Sequence, residues 1–416
     1  MRPDKWWDPD FDDAAKHVWG AGRHLYETQG SVRRDYADAA LVLYTGNTRD
    51  SLTGAGAFSS EIDILAGLVG ADPPAYNVIQ ACVDTKVAHI VSNKVRPFFL
   101  TERGSAELKE KALGMQRAVE AIFDENELWG AEGVKVCYDG NLFDCGCYKG
   151  WPDYANMRYR LQRAFPWEFF VDERDARYGK PQQLFHVQLV DREVLAGMFS
   201  ADDDEVQTLI RNAQPCKADD LEEFIDDEGT IADQLMVCET WHLPSRVVDR
   251  SKPEAFGRDS KGDAVTPAHD GRRMLCLQSG QLLLEAWPYD YFPVPMFRPQ
   301  PRTRGFWSRG LPEILAGNQN ALNRMAKRID GIMDLHARPL VYVWRQAKIN
   351  TRLINNNWGT ILEGNAPPGQ AMQYIVPQSV PGDYLRRYRE IIEDSERQAG
   401  LSALSRMARP YGLSSM

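Results

Sequence analysis

Two helical patterns near the C-terminus constrain this chain more than any other feature. Pro312 to about His336 runs for about seven turns without an internal breaker. Proline stands near its first turn, where the missing N–H leaves no bond unmade. Ile314, Leu315, Ala321, Leu322, Met325, Ile329, Ile332 and Met333 follow one side, while Asn320, Asn323, Arg324, Lys327 and Arg328 lie on others, and Pro339 stops the run. The second pattern, about Asp383 to Ala399, ends at Gly400. Its apolar stripe is thin (Tyr384, Leu385, Tyr388, Ile391, Ile392) against Arg386, Arg387, Arg389, Glu390, Glu393, Asp394, Glu396 and Arg397. So polar a helix is not expected inside a globule. It fits between neighbours in an oligomer, with Arg386, Arg387, Glu390, Glu393 and Arg397 as intersubunit partners.

A small α/β module is expected between the two helices. It comprises a strand at Leu340–Trp344, a short helix at Thr351–Asn356, a strand at Thr360–Leu362, a break at Pro367–Pro368 and a strand at Met372–Val376. Upstream lies a longer mixed region. Residues 1–75 read as a polar arm punctuated by aromatics, closed by Pro73 and Pro74. Helices are expected from Tyr76 to about Asn93 and from Ala106 to Leu128, with a short strand at Phe98–Leu100 between them. Further strands are expected at Leu142–Tyr148, Arg158–Phe165, Phe169–Val171, Leu184–Val190, Gln234–Leu243, Met274–Leu277 and Leu282–Trp287, with a helix start at Asp191. Asp202 to Glu228 is strongly acidic, with Arg211 and Lys217 as its only bases. A solvated insertion with one or two short helices is expected there, the alternative being a cation or partner site. Pro288–Pro301 cannot be helical and runs into a basic turn with Arg302, Arg304 and Arg309.

With 416 residues the chain exceeds one simple core, and the order of elements is that of an α+β protein with more than one domain. The formal charge of -10 argues against wrapping nucleic acid with a basic surface, and it does not exclude a channel in which DNA must slide. No run of about 18 apolar residues occurs, so no membrane-spanning helix is expected. The segment Lys5–Asp13, rich in Trp and Asp, lacks the apolar core of a signal peptide. Seven cysteines fit a reducing compartment better than a disulfide framework.

No Walker A, HExxH, GxSxG or kinase string occurs, so no enzymatic activity and no cofactor are expected. Gly54-Ala55-Gly56 has no strand before it and reads as a loop. Cys137, Cys145 and Cys147 match no standard zinc spacing and read as core residues. Acidic pairs such as Asp202 and Asp203 are adjacent rather than opposed, which suits neither acid nor base. The competing reading is a nucleic-acid-processing enzyme whose carboxylates bind a divalent metal.

The segment Gly310-Leu-Pro-Glu-Ile-Leu-Ala-Gly-Asn-Gln-Asn-Ala-Leu-Asn-Arg resembles the helix that begins the stem in phage portal proteins. Tyr76-Asn77-Val78-Ile79-Gln80 resembles the helix that opens the portal wing, and Phe165-Pro166-Trp167-Glu168-Phe169-Phe170-Val171-Asp172 its proline-split strand pair. The resemblance covers about residues 76–416. It implies a portal fold: wing 76–310, first stem helix 311–337, clip 338–381, second stem helix 382–400 and the start of a tunnel loop at 401–416. It further implies a homo-oligomeric ring, usually of twelve, at one vertex of the virion capsid and assembled in the host cytoplasm. Double-stranded DNA would pass through the ring during packaging and ejection. The partners implied are the major capsid protein, the large terminase and then head-to-tail adaptor proteins. Arg345, Lys348, Arg352 and Trp358 would serve docking in the clip. Arg406, Arg409, Lys327 and Arg328 are the candidates to approach DNA in the channel, the alternative for Lys327 and Arg328, as for Arg324, being an adjacent subunit. In that family a return helix and a crown follow the tunnel loop; this sequence ends at Met416, so either it is a truncated piece of a longer chain, which is the expectation, or this member lacks those parts.

Overall fold

The computed structural model describes residues 5–8, 11, 13–46, 76–94, 96–101, 104–153, 156–200, 203–215, 233–257, 263, 265, 267–337, 340–344, 372–375 and 382–401. The chain is α+β, and it divides into two compact units. The first comprises residues 1–71 and 79–314, the second 72–78 and 315–416.

The first unit is built on an antiparallel sheet of five strands in the order β3-β4-β5-β6-β7: β3 Phe169–Phe170, β4 Gln183–Asp191, β5 Gln234–His242, β6 Arg272–Leu277 and β7 Gly280–Ala286. β4 pairs with β5 over its whole length, from Gln183 opposite His242 to Asp191 opposite Gln234. Alternation along these strands makes two faces, both buried. On one, Phe185, Val187, Cys238, Met274 and Cys276 pack under Trp6, Ala14 and Val18. On the other, Leu235, Val237, Leu275, Leu277 and Leu282 meet Leu195 from α6 (Arg192–Gly197) and Val206 and Ile210 from α7 (Asp204–Asn212).

The residues expected to form an N-terminal arm therefore supply, where they are described, one cover of the sheet. Helix α1, Ala14–Leu25, continues through one π turn at Tyr26–Gly30 into α2, Ser31–Thr45. Its buried positions are Ala14, Val18 and Gly22, small residues four apart that bring the helix backbone close to the strands. A Cβ on Gly22 would lie 2.5 Å from the Cys238 sulfur, so the close approach needs glycine. Trp6 is 2% exposed, and its indole donates to the Gln183 side chain at 2.9 Å.

Helices α3 (Val78–Ser92), α4 (Ala106–Glu125) and α5 (Ala131–Leu142) follow. Where a strand was expected from Leu142, α5 instead runs through that residue and the strand β1 starts at Gly146. The helix is held by Asp139, which takes two hydrogen bonds from Arg163 at 2.6 and 2.7 Å, and Val136 is buried. Phe98–Leu100 forms no strand, and both residues are largely exposed. β1 (Gly146–Asp153) lies between β2 (Arg158–Ala164) and β8 (Met296–Phe297) in a second antiparallel sheet. Cys145 and Cys147 sit in the core beside Phe169, Leu184 and Trp241.

α6 starts where expected, with Asp191 accepting from the backbone N–H groups of Glu193 and Val194. α7 departs from the solvated insertion expected over 202–228, because Val206 and Ile210 are buried against the sheet. The rest of that acidic stretch, from Cys216 on, lies outside the described residues.

One feature of the second sheet face is not apolar. Glu239 is 1% exposed, between Arg273 on β6 (2.7 Å) and Lys149 on β1 (2.5 Å), with His186 on β4 at 3.8 Å. Burial alone would raise its pKa; Lys149, Arg273 and His186 together hold it well below the usual carboxylate range.

The long helix α8, Leu311–Ala337, starts in the first unit. Glu313 in its first turn accepts from Tyr36 (3.0 Å) and Arg302 (2.6 Å), and negative charge there suits the helix dipole. The Gly310 N–H donates to the Tyr36 hydroxyl at 3.1 Å, and a Cβ on Gly310 would collide with the carbonyl oxygens of Leu142 and Phe143.

Candidate functional site

The second unit contains both helices that the sequence marks out. After α8 come β9 (Leu340–Val343) and β10 (Met372–Ile375), an antiparallel pair with Leu340 opposite Ile375, and then α9, Gly382–Gln398. The short helix expected at Thr351–Asn356 and the strand at Thr360–Leu362 lie outside the described residues, as do Arg345, Lys348, Arg352, Trp358, Arg406 and Arg409.

In α8 the buried residues of this unit are Leu315, Gln319, Leu322 and Ile329. The three apolar ones are seven apart, which places them on one seam of a helix that pairs lengthwise with another. Ile391, Ser395 and Ala399 are the matching buried positions on and just after α9. Asn318 joins the two helices, donating to Ser395 Oγ at 3.0 Å and Gln398 Oε1 at 3.2 Å. Ser395 in turn donates to the Ile391 carbonyl. Gln319, 1% exposed, accepts from the Val78 N–H at 2.9 Å and donates to the Tyr76 carbonyl at 3.0 Å, tying the residues before α3 to α8. Burial raises the pKa of the Tyr388 hydroxyl on α9, and Tyr76 and Asp330 add to the rise.

Most charged residues of α9 lie on its outer side, and seven of them pair with one another. Arg386 meets Asp383 (3.2 Å) and Glu390 (3.7 Å), Arg387 meets Glu390 (3.2 Å), and Arg397 meets Glu393 (3.6 Å) and Asp394 (3.4 Å). All are spaced three or four along the helix and exposed, so each pair contributes about 0.3–0.5 kcal/mol. They leave α9 helical on its own account and free to exchange partners with another surface. Lys327 and Arg328 are exposed on α8, as is Arg324.

The sequence reading placed Gln319 in the segment that carries the resemblance without giving it a role, and it missed Asn318 and Ser395. Gln319 falls four after Leu315 and three before Leu322, a polar residue in the middle of an apolar stripe, and that position is its signal. It also missed a basic cleft of about 700 Å³ in the first unit, lined by arginines 174, 177, 302 and 304 with Val171, Glu173, Ala176, Gly305, Phe306 and Trp307. Arg302 and Arg304 stood out as a basic turn; nothing in sequence placed Arg174 and Arg177 opposite them. Among the described residues, no three His, Cys, Asp or Glu side chains are grouped so as to hold a metal ion, and no helix is long and apolar enough to cross a membrane. No protein-family model and no curated protein matches the chain.

Proposed function

We propose that this chain is a portal-type subunit: one copy of a ring at a single vertex of a phage capsid, through which double-stranded DNA is packaged and ejected. The observation that carries the reading is the second unit, in which a 27-residue helix leads through a β pair into a 17-residue helix whose outer face is almost wholly charged. Such a pair has one apolar seam for itself and leaves a polar surface to pack, through exchangeable ion pairs, against the next subunit. The reading rests equally on the resemblance carried by residues 310–324, 76–80 and 165–172.

In this reading α8 and α9 form the channel wall, the first unit anchors the ring to the major capsid protein, and the segment 338–381 docks the large terminase and later the adaptors. Lys327 and Arg328, with Arg406 and Arg409, supply the basic groups near DNA. The work is geometric and electrostatic: α8 and α9 carry acids and bases in near balance, so phosphate meets no continuous basic surface and DNA keeps moving, while a few bases steady it. No nucleotide is hydrolysed by the subunit itself.

Electron microscopy of the purified protein, averaged along the symmetry axis, tests this directly. Rings with a central hole wide enough for duplex DNA are expected, with no ATPase activity in the absence of a motor. Compact particles without a hole, at low and high salt alike, overturn the reading. Metal-dependent cleavage of DNA by the same sample favours the enzyme alternative.

A further inference from the structure

The cleft beside β3 has a floor of Val171, Ala176, Phe306 and Trp307 and a rim of four arginines with one acid, Glu173. Val171 and Ala176 are each 1% exposed and Phe306 9%, whereas the arginines at 174, 177, 302 and 304 are exposed. Trp307 is backed by the Arg33 guanidinium at 3.5 Å, which Asp144 and the Phe169 carbonyl fix in place. Arg302 is engaged with Glu313 and the Ser308 carbonyl. Arg174 and Arg304 have no side-chain partner among the described residues. An apolar floor inside an arginine rim asks for a ligand that is acidic and apolar at once, which neither free phosphate nor a DNA backbone is.

The chain carries such a ligand. Lys217 to Thr230 holds seven carboxylates (Asp219, Asp220, Glu222, Glu223, Asp226, Asp227, Glu228) against a single lysine, with Leu221, Phe224 and Ile225 among them. We propose that this acidic segment of one copy occupies the arginine cleft of a second copy, making a head-to-tail contact between subunits.

The choice of a second copy follows from distance. The acidic segment leaves and re-enters the fold at the Asp191/Gln234 end of β4 and β5, where Arg192 pairs with Asp233 at 2.5 Å. The cleft lies off the opposite end, where Asp175 accepts from the N–H groups of Gln182 and Gln183. The nine residues of β4 between them span roughly 26 Å at about 3.3 Å per residue. Pro215 and Asp233 hold both ends of the segment, so even fully stretched it projects about 30 Å, half its contour. Its tip could touch its own cleft, but no length would be left to lie in it. A neighbour's cleft has no such limit. Because cleft and segment are different surfaces, the contact is heterologous and either closes into a ring or continues as a filament. It holds whether or not the assembly carries DNA.

Two measurements test it on the full-length protein. A labelled peptide of residues 217–230 should bind saturably, more weakly as salt rises, and about tenfold or more weaker to the Arg174→Glu/Arg304→Glu variant. In sedimentation velocity, that variant and an Asp226→Lys/Asp227→Lys variant should each lose self-association, while an equimolar mixture should form complexes of two chains. The arginines replaced are exposed, and circular dichroism like that of the parent confirms the fold of both variants. The proposal is overturned if the peptide binds both cleft forms equally, if duplex DNA or inorganic phosphate binds the cleft and excludes the peptide, or if the two variants fail to associate when mixed. Association without a central hole would sink the channel reading and leave this contact standing.

Discussion

At the scale of single residues, Glu239 is the group whose behaviour is best determined. A buried carboxylate between Lys149 and Arg273 is tolerated only while all partners are present, and removing one leaves the others buried and uncompensated. Glu239→Gln is expected to cost about 3–5 kcal/mol in denaturant unfolding at neutral pH. The same site sets an acid limit. Its pKa in the folded protein lies well below the unfolded value of about 4.3, so the folded form gains from ionisation at every pH above that value. The gain disappears as pH falls from about 5 through the folded pKa. Melting temperatures measured from pH 7 to pH 3 should therefore drop more steeply for the parent than for Glu239→Gln. Parallel curves would show that Glu239 is not the charged partner of Lys149 and Arg273. None of this could be read in sequence: a Glu in the run Met236-Val-Cys-Glu-Thr-Trp-His looks like an outward-facing strand residue. It faces inward because α6, α7 and the β1 sheet cover the side that alternation would leave to solvent.

At the scale of elements, the long periodic segments were legible, as were short strands such as β2, β3 and β6, whereas α1 and the helix through Leu142 were not. α8 and α9 begin and end within a residue or two of where proline, glycine and stripe placed them, and so do β4 and β5, because each carries a repeated signal over many residues. α1 carries a different one. Its contact positions are Ala14, Val18 and Gly22, small side chains chosen for close approach, so the helix reads as polar although it covers half the central sheet. Gly22→Val is accordingly expected to be severe, since the Cys238 sulfur and the Val187 side chain already occupy the space a side chain needs. Overpacking of this kind costs about 1–3 kcal/mol, and loss of α1 from the sheet would appear as faster amide exchange in β4 and β5. Unchanged exchange and stability would mean that α1 can shift away without cost. In the second unit, Leu322→Ala removes the middle of the seven-residue seam. A loss of about 2–5 kcal/mol is expected for unfolding of α8 and α9, read by exchange at Ile391 and Ser395. A loss below about 1 kcal/mol would show that α9 is held by the bonds of Asn318 to Ser395 and Gln398 rather than by the seam.

At the scale of the whole molecule, the proposed function raises the question of how a chain of net charge -10 would handle a polyanion. A subunit built to grip DNA would spread bases over one surface, and affinity would rise with every phosphate neutralised. On the two helices the bases are interspersed with acids: on α8 Arg324, Lys327 and Arg328 are each exposed, while on α9 Arg386, Arg387 and Arg397 pair with acids three and four residues away. Such an arrangement favours weak, salt-sensitive retention over tight binding, which is what a passage for moving DNA requires. The double substitution Lys327→Ala/Arg328→Ala measures it. Both side chains are exposed, so assembly judged by sedimentation should be unchanged. Retention of duplex DNA should fall, and the slope of log affinity against log salt should flatten by about one for each phosphate contact removed. If the slope is unchanged while assembly is intact, these side chains point away from DNA, and the steadying charge must come from elsewhere in the ring. In the proposed ring each basic group would recur once per subunit at a fixed height, so even a weak contact would act as a collar, and a collar that gripped too tightly would stall the strand.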